Sequence, residues 1–273
     1  MAKNKTIINA YAKIYIEEIF SKTLQAEGFS CPDEKMLCWY RLRNGEILDT
    51  VVFCSKWTSL PLLLDIYYES IPLFIEPFRI QNVNYNAHSF DRGDCSKRRA
   101  ILEGDNINGA SLTLYRCDVW VDAPAHGNRG LYTLTHKILP YFQNIETAYD
   151  CYLSHKETYL KGDPANRYYG GMSLEFITEA LFFNDEEMLP FCRERIPSAF
   201  KTLEREMGYS PKNQELKKMQ VNWQRLSDAF FDGKRDEYLE YLRQLEIQNI
   251  QKLQKRFGLK ISGQRTGDGL REP

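Results

Sequence analysis

The stretch CDVWVDAPAH, residues 117–126, gathers a cysteine, two aspartates and a histidine. Those donors suit a divalent metal or metal-assisted hydrolysis. Their spacing does not. In a regular strand Cys117 and Asp118 point to opposite faces, while Asp118 and Asp122 share a face but stand about 13 Å apart. A zinc ligand must lie within about 2.0–2.3 Å of the ion. A bend at Ala123-Pro124 would bring His126 back toward Asp122 and would leave two ligands at most from this stretch. The segment therefore reads as a strand end and the loop after it. The alternative is a metal-dependent hydrolase or nuclease that uses Asp118, Asp122 and His126, with His88 or Asp91 added. It requires the loops 88–95 and 117–126 to converge on one point.

A second polar run, HSFDRGDCSKRR at 88–99, offers Arg92, Arg98 and Arg99 to an anionic or protein partner. The plainer reading, and the favoured one, is a solvated, turn-rich connection between strands. CPDEK (31–35) places Asp33, Glu34 and Lys35 side by side, so their side chains diverge instead of meeting around Mg²⁺. Seven cysteines and four histidines form no family-specific Cys–His motif, and GxSxG, HExxH, GxxxxGK[ST] and GxGxxG are missing. His136 falls opposite Leu134 and Ile138 on a helical wheel and is expected in solvent. Aromatic side chains are the remaining resource, with 17 Tyr, 15 Phe and 4 Trp. Trp39, Arg41 and Arg43 share one face of a predicted strand, and Tyr68 lies on a neighbouring one. Such a face suits protein contact. Stacking with single-stranded nucleic acid is the sharper, less favoured reading. Helices covering this face and taking its aromatics into the core is the plainer one.

These residues depend on the elements that carry them. In the chain of 273 residues, Lys plus Arg is 36 against Asp plus Glu 37, which excludes a global basic field for nucleic acid. The cysteines contain no CxxC pair and no secreted framework, so reduced thiols in a cytoplasmic setting are expected. Lys13, Glu17 and Glu18 interrupt the N-terminal apolar residues, and no window reaches the roughly 18 apolar residues a spanning helix needs. Neither a signal peptide nor a membrane segment is read, and no cofactor is implied.

Ile8, Ala12, Tyr15, Ile16, Ile19, Phe20 and Leu24 recur at helical spacing, and Gly28 stands where a helix C′ residue belongs. MLCWYRLR (36–43) and EILDTVVFCSK (46–56) flank Asn44-Gly45, the pattern of a β-hairpin. A third strand is expected within 60–74, and 98–103 with 111–121 reads as another hairpin. Leu131, Leu134, Ile138 and Phe142 then mark a helix that Pro140 kinks or splits. Helical patterns follow to Gly258, with Ser210-Pro211 and Asp232-Gly233 as punctuation. The fold class is α+β: an N-terminal helix and antiparallel sheet, followed by an all-helical C-terminal half. The expected division is 1–125 for the sheet domain, 126–172 for connecting helices and loop, 173–258 for a helical domain and 259–273 for a mobile tail.

Glu27-Gly28-Phe29, Trp39-Tyr40-Arg41, DTVVF (49–53) and LPYFQNIETAYDCY (139–152) give roughly the first 155 residues an order that resembles uncharacterised bacterial domains of unknown function. Those domains begin with a helix and continue as an antiparallel sheet. The resemblance implies fold only. It carries over no activity and no site residue. The expected function is a non-enzymatic protein-interaction module of a bacterial or phage accessory system, with a protein as partner.

Overall fold

A computed structural model describes residues 17–31, 38–57, 62–75, 131–132, 134–161, 174–209, 212 and 214–263. It is an α+β fold: a small sheet followed by a mostly helical C-terminal half.

A π-helical turn, Glu17–Ser21, runs into the short helix α1, Lys22–Ala26. Gly28 at φ 81° reverses the chain there, a conformation open to glycine because it lacks a Cβ. Strands β1 (Cys38–Arg43) and β2 (Ile47–Trp57) form the expected hairpin. Asn44 and Gly45 have φ of 54° and 70°, and Glu46 N donates to Arg43 O at 3.0 Å. Two positive φ values at the turn centre are what Asn-Gly supplies. β3 (Leu62–Pro72) pairs antiparallel with β2 along its whole length.

The expected helix around Pro140 is divided. A π-helical turn, Leu134–Ile138, leads into α2, Leu139–Gln143, with the proline in the first turn of the second piece. There its missing N–H costs nothing. The helical half comprises α3 (Ala148–Lys161), α4 (Leu174–Phe182), α5 (Leu189–Tyr209), α6 (Gln214–Phe231) and α7 (Arg235–Phe257). Gly233 (φ 71°) lies in the turn between α6 and α7, and Gly258 (φ 63°) ends α7. The hairpin read at 98–103 and 111–121 and the Ser210-Pro211 cap lie outside the described residues.

Sheet and helices share their core. Ile71, Phe74 and Ile75, at and beyond the end of β3, belong to the same buried cluster as Tyr152, Ile177, Cys192, Leu226 and Leu242 of the helices. Tyr40, Leu42, Leu48 and Leu73 pack against Leu253 and Leu259. Asn249 of α7 is fully buried and donates to Leu73 O (2.9 Å) and Ile75 O (3.1 Å). No clear seam therefore divides the described parts of 1–125 and 173–258.

The segment read as the start of a mobile tail is also built in. Leu259 is buried, and Ile261–Ser262 forms β4, parallel to β1 and at the sheet edge, in the order β3-β2-β1-β4. Asn44 N donates to Ser262 O at 2.9 Å and Ser262 Oγ to Leu42 O at 3.1 Å. What ties this segment down is the backbone of a strand far away in sequence. Its own apolar content is small. No described helix is long and apolar enough to cross a membrane.

Candidate functional site

Strand register decides where the sequence-predicted residues go. Across β1, β2 and β3 the paired rows on one face are Trp39–Val51–Tyr68, Arg41–Asp49–Ser70 and Arg43–Ile47–Pro72. Trp39, Arg41 and Arg43 do share a face, as period-2 alternation requires. That face is covered. Trp39, at 4% exposure, is packed in a cluster with Phe20, Leu24 and Phe29 from the N-terminal segment and Leu134, Ile138, Leu139 and Phe142 from the second. Tyr68 is half-buried against the same cluster, with its ring edge-on to Tyr141 and Phe142. The plainer expectation, aromatics taken into the core, describes these positions.

The middle row is a buried ion cluster. Asp49 has no exposure. Its Oδ2 accepts from Arg41 Nε at 2.9 Å and lies 2.8 Å from Arg41 Nη2. Its Oδ1 accepts from Arg43 Nη2 (2.9 Å) and Ser70 Oγ (2.7 Å). The outer guanidinium donors turn to the covering layers: Arg41 Nη1 to Glu27 O at 2.8 Å, and Arg43 Nη1 to Ile145 O. Arg41 also lies over the Phe29 ring, 4.5 Å from its centroid. Both arginines are therefore committed to the fold. One carboxylate fixes two guanidinium forks, and each fork holds a backbone carbonyl of an overlying segment.

A second cluster lies on α3. Cys151 and His155, one turn apart, both face inward, and His155 Nδ1 lies 2.7 and 3.0 Å from the two oxygens of Glu179 on α4. Glu179 has no exposure and His155 has 8%. Cysteine, histidine and glutamate are the residue types of nucleophilic catalysis, in which an orienting carboxylate, a base and a thiolate act in series. The thiolate is disfavoured here. Burial pushes the Cys151 thiol well above its ordinary range, and the negative charges of Glu179 and Asp49 push it further, against the opposing Arg43. What this geometry achieves is to bind α3 to α4 through a polar contact in an apolar interior.

A third set joins α3 to the α4–α5 turn. Tyr152 Oη donates to Asp185 Oδ2 at 2.6 Å, and Lys156 Nζ lies 2.7 Å from that oxygen and from Glu187 Oε2. Partial burial raises the Asp185 carboxyl, but the Lys156 and Tyr152 hydrogen bonds outweigh it and hold the group below its usual value. Asp185 Oδ1 also accepts from the backbone N–H groups of Glu187 and Met188.

The buried thiols give a measurable expectation. Burial, with the Asp185 charge adding, pushes Cys192 up to about 12. In the unfolded chain a thiol ionises near 8.5. The folded state thus holds more protons above that pH. The contribution is complete below about pH 8.5 and is lost progressively as pH rises toward the folded value. Alkylation by iodoacetamide at pH 8.5, mapped by mass spectrometry, should modify half-buried Cys31 before Cys151 and Cys192. Equal rates at the three would contradict this account.

Arg92, Arg98 and Arg99, and the alternative metal set Asp118, Asp122 and His126 with His88 and Asp91, lie outside the described residues. Among the described residues no group of three or more His, Cys, Asp or Glu could hold a metal ion. His136 is exposed, as its wheel position requires, with Nδ1 3.0 Å from Tyr132 O. Sequence reasoning passed over Asp49 and the His155–Glu179 pair. A charged residue inside DTVVF was the available sign for the first, and none existed for the second. No protein-family model, curated protein or solved structure matches the chain.

Proposed function

We propose that the chain is a non-enzymatic protein-interaction module, of the kind used by bacterial or phage accessory systems. The observation that carries this reading is a row of large apolar side chains turned outward on α3. Tyr149, Leu153 and Leu160 are 47%, 42% and 42% exposed. Single exposed apolar residues are ordinary on soluble proteins, whereas several on one helix face mark a contact surface. Among the described residues, polar groups of catalytic type support it in a second way. Arg41, Arg43, Asp49, His155 and Glu179 are spent on internal contacts.

A photo-crosslinking amino acid placed singly at Leu153, Phe191, Tyr209, Val221 and Ile247, all exposed, tests the reading in the native host. A discrete adduct with one protein at neighbouring positions is expected. The absence of any adduct at all five would overturn it. Stoichiometric metal in the same purified protein, removed by chelator with a fall in Tm, would move the reading to a metal-dependent hydrolase or nuclease.

A further inference from the structure

We infer that α3 is the docking face of the molecule and that its occupant is a basic amphipathic helix of a partner protein. The inference rests on the interaction reading above and names the surface and the chemistry it takes.

Tyr149, Leu153 and Leu160 stand at i, i+4 and i+11, so at 100° per residue they fall within about 40° of one another. The result is a line of apolar side chains down one helix face, crossed by Lys156 between Leu153 and Leu160, along which a second helix can lie. The stripe is anchored from beneath. The Tyr149 ring meets Phe183 edge-on at 5.1 Å, Phe183 meets Phe182 at 5.2 Å, and Phe182 stacks at 4.0 Å on fully buried Phe74. An exposed tyrosine backed by packed aromatic rings is already ordered, so docking costs it little rotamer freedom.

The charge around the stripe selects the partner. At its N-terminal end stand Glu146, exposed, and Asp150, which accepts from the Glu146 and Thr147 N–H groups. Lys156 shares the face of the stripe, seven residues after Tyr149. Its ion pairs with Asp185 and Glu187 draw the α4–α5 turn alongside, with exposed Glu186 between them. Among the described residues, one lysine is thus outnumbered by carboxylates at the end and along one side. A partner helix with lysines or arginines flanking a leucine-rich stripe meets this rim with opposite charge, and an acidic helix meets it with like charge.

The test uses the full chain and two synthetic helices of about 18 residues, one of leucine and lysine, the other with glutamate in place of lysine. Binding is read by fluorescence anisotropy at low and at physiological salt. The lysine peptide should bind, more weakly at the higher salt, and the glutamate peptide should not. Leu153→Asp should weaken binding at least about tenfold. Glu186→Lys, at an exposed position that leaves the fold intact, should weaken it severalfold. Ile247→Asp on α7 should leave it unchanged. The proposal is overturned if the peptides bind alike, if the lysine peptide does not bind, or if Leu153→Asp and Ile247→Asp act equally. If it fails while crosslinks at Phe191, Tyr209, Val221 or Ile247 still capture a partner, the surface is wrong and the interaction reading stands. If every position fails to crosslink, that reading falls as well.

Discussion

Asp49→Ala should lower the unfolding free energy by about 3–5 kcal/mol, the usual effect of removing one member of a buried ion pair. The reason is what remains. Arg41 and Arg43 would face one another without their shared carboxylate, with side-chain exposures of only 12% and 14%. Ser70 Oγ would lose its acceptor too. Ser70→Ala alone removes one hydrogen bond and should cost about 1 kcal/mol. Replacing the triad together with Met, Leu and Met at 41, 49 and 43 should recover much of the loss, because no uncompensated charge is then buried. Urea denaturation of the variants, at unchanged m-value, measures all three. An Asp49→Ala cost under about 1 kcal/mol would mean that water reaches the arginines and the row is not the interior feature described.

His155→Ala carries the second large effect. Glu179 has no exposure, and the imidazole lies within hydrogen-bond distance of both its oxygens. Removing the ring leaves a carboxylate in an apolar site and a cavity beside α4, at a cost of about 3–5 kcal/mol. Glu179→Gln should be milder, since its amide oxygen can still accept from the imidazole. The discriminating quantity is the coupling in a double-mutant cycle. Two residues that act as a pair should give an interaction energy of about 1–3 kcal/mol, and additive single costs would show that neither depends on the other.

The hairpin, the helices and their glycine ends were legible in the sequence because each rests on local chemistry. Asn44-Gly45 requires positive φ, and Gly258 sits at a left-handed helix end. Alternation also placed Trp39, Arg41 and Arg43 on one face. It could not say that the face is covered, because the cover is assembled from the segment before β1, as in the Arg41–Glu27 contact, and from residues about a hundred positions later, as in the Arg43–Ile145 contact. Arginine on a strand looks like a surface residue until its carboxylate is found on the neighbouring strand. The His155–Glu179 pair joins two helices whose separate patterns contain no sign of each other. β4 is two residues long, too short for any periodicity to register. Trp39, Arg41 and Arg43 thus share the face that alternation gave them, and that face is interior, while Arg92, Arg98 and Arg99 lie outside the described residues.

The pairing of β4 with β1 orders events during synthesis. Ser262 and Leu42 are 220 positions apart, so the backbone edge of β1 at Leu42–Arg43 must wait for nearly the whole described chain to leave the ribosome. At about 5–20 residues per second that interval is tens of seconds. Throughout it, the hairpin forms quickly while one margin stays open to pairing with other chains. Closing the sheet with a distant strand makes completion of the fold a late, long-range step, and slow folding of that kind is the ordinary consequence of such topology.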